Sequence, residues 1–109
     1  MRERRKFPRI ATDQVISFAP VNYSNERLAV STNVSAGGIR FEAVGCELEL
    51  GDTIRVTFNV GEHTVVAVGE VCWATELDNI TSDIGLVFLE IDPSALRLIE
   101  DNTEVYPSI

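Results

Sequence analysis

The sequence predicts an all-β domain, an antiparallel barrel or sandwich with one short helix at its end. The chain has 109 residues, of which 45% are hydrophobic and 24% charged, as expected of one soluble, compact domain. Short segments rich in β-branched residues follow one another, separated by Gly, Pro or polar turns. Helical spacing of apolar residues occurs after Asp92-Pro93-Ser94, a sequence typical of a helix start. The apolar side of this helix consists of Ala95, Leu96, Leu98 and Ile99.

Six segments carry the patterns of strands, at residues 14–19, 27–34, 39–43, 53–60, 63–73 and 84–91. The clearest is 53–60, in which apolar and polar residues alternate with a period of two. The same period in 27–34 predicts a face formed by Leu28, Val30, Thr32 and Val34. Gly69 predicts a bulge or bend within 63–73. Residues 76–83 are expected to form a polar loop.

Charge divides the chain into a basic arm and an acidic body. Residues 1–9 hold five basic residues and one acidic residue, a net charge of +4, and the rest carries −12, which gives −8 in total. An acidic body repels DNA and RNA, whereas a short basic arm attracts a small or local anion. We therefore expect residues 1–12 to form a flexible basic arm and 13–109 the barrel with its helix. Taken alone, the arm is equally compatible with a solvated tail that binds nothing.

Patterns typical of catalytic or metal centres are missing from the sequence. His63 is the single histidine, and neither it nor Cys46 and Cys72 shows the spacing of zinc ligands. Ser35 precedes two glycines but does not lie in a nucleophile elbow. Apolar runs fall short of the ~20 residues of a membrane-spanning helix, and the N-terminus lacks the apolar stretch of a secretory signal. We predict a cytoplasmic protein that is not an enzyme, uses no cofactor or metal and does not insert into membranes.

Two clusters have the chemistry of a binding site. Arg5 and Arg9 are four residues apart with a proline between them, and guanidinium groups grip phosphate, stack on planar bases or read a guanine edge. Asn33 and Ser35 share one face of an extended segment and offer hydrogen-bonding groups. Gly38 lets the backbone turn and approach a ligand. The second cluster, taken alone, is also typical of a tight hairpin.

Together the two clusters resemble the PilZ domain family, whose pattern is RxxxR on an N-terminal arm followed by [D/N]xSxxG. The first motif is matched by Arg5 and Arg9, and the second by Asn33, Ser35 and Gly38. Two later sequences, GEVCW and IGLVF, are similar to further strands of the family, so the resemblance runs through nearly the whole chain. It implies a six-stranded antiparallel β-barrel with a short C-terminal α-helix that binds the bacterial second messenger cyclic di-GMP.

The resemblance also implies which residues bind the ligand. These are Arg4, Arg5, Arg9, Asn33, Ser35, Gly38 and Trp73. The arm arginines would contact guanine and phosphate, the two polar residues would bind from the barrel face, and Gly38 would keep the surface open. In this family an arginine at the position of Arg4 accompanies an intercalated ligand dimer, so two cyclic di-GMP molecules per domain are predicted. Trp73 is suited to the edge of this site, but a position in the barrel core is an equally good interpretation.

The expected mechanism is ordering of the arm by the ligand, which changes a surface that a separate downstream effector protein recognises. The alternative is a PilZ-type protein-interaction module without a ligand, such as those of pilus or secretion assemblies. Nucleic-acid binding by the arm is the third interpretation. The acidic body and the lack of a recognition helix argue against it, so DNA and RNA are not expected as partners.

Overall fold

The computed structural model describes residues 10–11, 14–22 and 25–102, which form seven strands and one helix. The elements are β1 (Ile10–Ala11), β2 (Val15–Pro20), β3 (Arg27–Ser35), β4 (Gly38–Val44), β5 (Thr53–Val60), β6 (His63–Glu76), β7 (Thr81–Ile91) and α1 (Pro93–Asn102). All strand pairings are antiparallel. Within this part of the chain, no helix has the length and apolar character needed to span a bilayer.

β3 closes the sheet into a barrel. The strand order is β1-β3-β2-β5-β6-β7-β4, and β3 pairs with β4 as well. β2 and β1 follow each other along one edge of β3, where Val15 faces Val30 and Ile10 faces Val34. Strands β2 to β7 therefore make a closed six-stranded antiparallel barrel. β1 pairs with the same edge of β3 as β2 does, at the end of β3 that leads into β4. The predicted fold class is confirmed, and closure pairs the edges that an open sheet would expose.

The interior is filled by alternate side chains of the strands. In β5 the alternation predicted from the sequence is confirmed, because Ile54, Val56, Phe58 and Val60 are all buried. Phe18 and Phe41 meet across the barrel with their ring centroids 5.2 Å apart. At one end α1 packs against β3 and β5 through its buried residues Ala95 and Ile99. Burial of this apolar surface is the main favourable contribution to folding.

The start of α1 follows the sequence prediction. Asp92 Oδ1 accepts a hydrogen bond from the backbone N–H of Ser94 over 2.9 Å, and a second from the Ser94 hydroxyl. Such a cap satisfies a donor that the first turn of a helix leaves unpaired. Pro93 occupies the first helical position, where no backbone N–H is needed.

The face predicted for β3 is wrong in its first half. The exposed side chains there are Leu28 (71%) and Val30 (44%), whereas Ala29, Ser31 and Val34 are buried. A register shift between Ser31 and Asn33 makes Thr32 an extra residue opposite β4. This bulge reverses the alternation of inward and outward side chains. Even-numbered residues before it, such as Val30, therefore point outward, whereas Val34 after it points inward.

The predicted loop at 76–83 is wrong in its extent. β6 continues to Glu76 and β7 begins at Thr81, which leaves a turn of residues 77–80. Asp78 closes this turn, since its Oδ1 accepts hydrogen bonds from the backbone N–H of Ile80 (2.9 Å) and Thr81 (2.7 Å). Asp83 therefore lies inside a strand. A register shift does occur at Gly69, but its extra residue is Leu89 on β7, and the bulge within β6 itself is at Cys72.

Candidate functional site

The β3–β4 hairpin presents the second sequence motif. Asn33 and Ser35 are paired in continuous register with β4, so they point to the same side, as predicted. Asn33 is half-buried and Ser35 is buried. The hydroxyl oxygen of Ser35 accepts a hydrogen bond from the N–H of Gly37 over 3.2 Å. The motif therefore forms a tight hairpin, and Ser35 helps to hold its turn in place.

Gly38 is required by a close approach of two backbones. A Cβ built on it would overlap with the carbonyl oxygen of Leu86 on β7 and would lie 3.1 Å from the carbonyl carbon of that residue. Its φ lies outside the left-handed region that favours glycine, so the turn conformation does not explain the residue. Contact between β4 and β7 is the reason for glycine here, and the sequence carried no sign of it.

β1 brings the beginning of the chain to this hairpin. Ile10 faces Val34 and Ala11 faces Asn33. The predicted ligand-binding arginines Arg4, Arg5 and Arg9 precede this strand and lie outside the described residues.

A row of four residues crosses the outer surface of the barrel from the hairpin. Its members are Asn33 on β3, Arg40 on β4, Gly85 on β7 and Trp73 on β6, and each faces the next in register. Neighbouring strands are ~4.8 Å apart, so the row spans roughly 14 Å between its end residues. Trp73 is 49% exposed, and a place in the barrel core is therefore excluded.

A carboxylate beneath this row holds two of its members. The Nε of Arg40 lies 3.0 Å from each carboxylate oxygen of Asp83, and Nη2 donates a further short hydrogen bond to Oδ2. Trp73 donates its indole N–H to the same Oδ2 over 3.4 Å. The guanidinium carbon of Arg40 lies over the indole, 5.7 Å from the ring centroid, which is the geometry of a cation–π contact.

Asp83 is buried although it faces outward, because these two side chains cover it. The hydrogen bonds from Arg40 lower the pKa of Asp83 below its ordinary value, while burial acts in the opposite direction. The same pairing raises the pKa of Arg40. Both groups are therefore charged at neutral pH. The sequence prediction missed the pair because it assigned Asp83 to a loop. Extending the alternation of β7 back to Thr81 would have placed Asp83 on the outer face of the barrel, but not beside Arg40.

The end of the barrel away from the hairpin is acidic. A cleft of about 390 Å³ lies there, and three of the residues that line it are Glu47, Glu49 and Glu76. Carboxylates repel an anionic ligand, so this cleft does not suit one. Among residues 10–11, 14–22 and 25–102, no cluster of three or more His, Cys, Asp or Glu side chains is placed to hold a metal ion. Cys46 and Cys72 are free thiols.

Solved structures of similar fold come from several bacteria. The Bacillus subtilis inhibitor of motility (MotI/DgrA) has a TM-score of 0.76 and 20% sequence identity, over 92% of this chain and 50% of its own. The PilZ domain of Escherichia coli YcgR, solved with c-di-GMP, has a TM-score of 0.70 and 16% identity, over 93% and 89%. Borreliella burgdorferi PlzA, crystallised in complex with c-di-GMP, has a TM-score of 0.66 and 13% identity, over 93% and 41%. The chain spans half the length of the MotI/DgrA chain.

Comparison with family models identifies the domain. A search of curated protein sequences finds no match to the chain. The model of the PilZ domain matches residues 3–104, which include both sequence motifs, the barrel and α1. The resemblance inferred from Arg5, Arg9 and the hairpin motif is thereby confirmed, and the chain belongs to the PilZ domain family.

Proposed function

We propose that this PilZ domain is a receptor for cyclic di-GMP, which binds on the outer face of the barrel at the β3–β4 hairpin. The observation that carries the proposal is the pairing of β1 with β3. Because Ile10 faces Val34, the RxxxR motif ends next to the hairpin that carries Asn33 and Ser35. This pairing supports a site in which the arginines of the first motif and the hydrogen-bonding side chains of the second bind the same dianion with two guanines.

The charges of the barrel support a role for the arm. Residues 10–11, 14–22 and 25–102 contain four basic and fourteen acidic residues, so the barrel by itself repels an anion. Of these four basic residues, Arg40 is on the row that starts at the hairpin, and its charge is already compensated by the ion pair with Asp83. A phosphate at the hairpin therefore depends on the arm for cations, which Arg4, Arg5 and Arg9 supply.

The test is calorimetric titration of cyclic di-GMP into the wild type and matched variants. We expect saturable binding by the wild type at micromolar concentration or below, lost in Arg9→Ala and strongly weakened in Asn33→Ala. Arg55→Ala is the control, because it removes the same charge from β5, where the side chain lies 3.6 Å from Glu26 and away from the hairpin. An equal loss of affinity in Arg9→Ala and Arg55→Ala would contradict a specific contact of the arm, because it would show that only the net charge of the domain matters.

Signal transmission follows from ordering of the arm. Without ligand the like charges of residues 1–9 repel one another, and with ligand they find phosphate and guanine. The arm then docks beside β1 and forms, with the barrel, a new surface that a separate effector protein recognises. NMR spectra of the domain at saturating ligand test this step. Unchanged resonances of residues 1–9 would overturn it, even if calorimetry shows binding.

A second candidate function is a protein-interaction module without a ligand. It is favoured by three exposed aliphatic side chains that lie together on β2 and β3. Val15 faces Val30, and Leu28 is the next outward residue on the same strand as Val30. Exposed apolar clusters of this kind are typical of surfaces that partners cover. No binding of cyclic di-GMP by the wild type would favour this function over the receptor.

A further inference from the structure

We propose that Asp83 is a positioning residue of the ligand site: it holds Trp73 and Arg40 as one preorganised platform against which a guanine stacks. The inference rests on the proposed function, since a stacking platform needs a ligand with a planar base. It assigns to Asp83 and Arg40 a role that neither sequence motif contains.

Asp83 holds its carboxylate beneath the outer face of the barrel. Its side chain is 8% exposed, although its strand position faces solvent. It receives hydrogen bonds from Arg40 and Trp73 at once, and both meet on Oδ2. One buried anion therefore fixes the orientation of two planar groups. A charged acceptor makes such hydrogen bonds stronger than a neutral one would.

The Arg40 guanidinium is held in place by Asp83. Its Nε and Nη2 both point at Asp83, which leaves the guanidinium plane with little rotational freedom. In this orientation the cation lies over the Trp73 indole at 5.7 Å from the ring centroid. The indole is thus held at its N–H by Asp83 and over its ring by Arg40.

Gly85 provides space for the Trp73 side chain. A Cβ on Gly85 would lie 3.1 Å from Trp73 Cβ, 3.7 Å from Cγ and 3.8 Å from Cδ1. The root of the indole therefore lies across the glycine, close to the sheet. A larger residue would lift the ring and lengthen its bond to Asp83. The glycine and the carboxylate act on the same side chain from two directions.

The platform lies next to the β3–β4 hairpin. Arg40 faces Asn33 directly, so the platform begins one strand away from the motif and extends outward to Trp73. About half of Trp73 remains accessible to a ligand. Planar groups that are already fixed lose little conformational freedom on binding, which favours affinity. A ligand with two bases is suited to bind Asn33 with one of them and the platform with the other.

The test compares cyclic di-GMP binding by Asp83→Asn and Glu42→Gln. A positioning role of Asp83 predicts weaker binding by Asp83→Asn, whereas simple electrostatic repulsion of the ligand predicts tighter binding. Removing a negative charge beside an anion should tighten binding by simple electrostatics. Glu42 is exposed, faces Asp83 in register and is the matched control for that effect. We expect cyclic di-GMP to bind about five- to tenfold more weakly to Asp83→Asn, and equally or more tightly to Glu42→Gln. Tighter binding by both variants would overturn the positioning role.

Trp73 supplies a direct readout because it is the single tryptophan of the chain. Without ligand, we expect acrylamide to quench its fluorescence more strongly in Asp83→Asn than in the wild type, since the indole loses its anchor. With ligand, we expect quenching by the stacked guanine in the wild type. Equal acrylamide quenching in the wild type and Asp83→Asn would show that Asp83 does not hold the indole ring, whether or not the two proteins bind cyclic di-GMP.

A second variant covers the case in which Asp83→Asn fails to fold. Trp73→Ala removes a half-exposed side chain, and the loss of stacking on one base predicts binding that is about five- to 150-fold weaker. Trp73→Phe, which keeps an aromatic ring, should recover part of the affinity that Trp73→Ala loses. Binding by the wild type without any change in Trp73 emission, and with full affinity in Trp73→Ala, would overturn the platform and leave the proposed function intact. No binding by the wild type would overturn the proposed function itself.

Discussion

Gly38 and Leu86 touch so closely that a side chain at Gly38 has no space, because its Cβ would overlap with the Leu86 carbonyl oxygen. This contact joins the β3–β4 hairpin to β7, so the glycine of the second sequence motif has a structural function. It predicts that substitution affects folding before it affects any ligand.

Gly38→Ala should lower the free energy of unfolding by about 3 kcal/mol, the upper part of the range for inserting a methyl group into filled space. Gly85→Ala is the matched control. There the new Cβ would lie 3.1 Å from Trp73 Cβ, a contact that a shift of a few tenths of an ångström relieves, whereas at Gly38 it would overlap with a carbonyl oxygen. We expect about 1 kcal/mol for it. Urea denaturation at constant m-value measures both, and equal losses would contradict the backbone explanation.

The pH dependence of stability should report the Arg40–Asp83 pair. Hydrogen bonds from Arg40 lower the pKa of Asp83 below its ordinary value of 3.8, so the unfolded chain binds the proton more readily than the folded one. The resulting stabilisation is fully present above that ordinary value and is lost as the pH falls through the lower folded pKa. The free energies of unfolding of wild type and Asp83→Asn should therefore differ at neutral pH and converge in acid. A difference that grows on acidification would refute the assignment.

Gln14 joins β2 to β5 through its side chain. Its Nε2 donates to the carbonyl oxygen of Asn59 and its Oε1 accepts from the N–H of the same residue, both over 2.8 Å. Gln14→Ala should cost about 1–2 kcal/mol, since two hydrogen bonds are lost. Gln14→Glu keeps only the hydrogen-bond acceptor, so its free energy of unfolding should lie between those of the wild type and Gln14→Ala. Hydrogen exchange at the Asn59 amide checks the explanation, because faster exchange is expected in Gln14→Ala and little change in Gln14→Glu.

The number of bound ligands should depend on Arg4. If Arg4 adds a cation and a stacking plane for a second dianion, calorimetry should give two cyclic di-GMP molecules per wild-type domain and one for Arg4→Ala. Lys6→Ala is the control, because it removes an equal charge from the same arm without touching the motif arginines. A stoichiometry of one for the wild type would end the dimer proposal while leaving the receptor unaffected.

Regular alternation and local motifs could be predicted from the sequence. The buried side of β5 follows from a strict period of two, and the start of α1 follows from Asp92 and Pro93. The hairpin motif, read with RxxxR, indicated the family. In the strand, in the helix start and within each motif, the determining residues lie a few positions apart, so their spacing carries the information.

Features that depend on contacts between distant strands could not be predicted. The bulge at Thr32 lies where β3 pairs with β4, and it reverses which neighbours of Thr32 are buried. The role of Gly38 depends on Leu86, and the burial of Asp83 depends on Arg40. These partners are more than forty positions apart in the sequence, and only the closed barrel brings them together.

The pairing of Ile10 with Val34 makes arm binding an intramolecular event. Arg9 is the residue before Ile10 and Arg5 lies five positions before it, so a chain of at most ~18 Å joins both to the hairpin. A short tether of this kind gives an effective concentration of about millimolar. Capture of the ligand by the arm should therefore be independent of protein concentration. A peptide of residues 1–9 added to a chain that lacks them should restore binding only near that concentration.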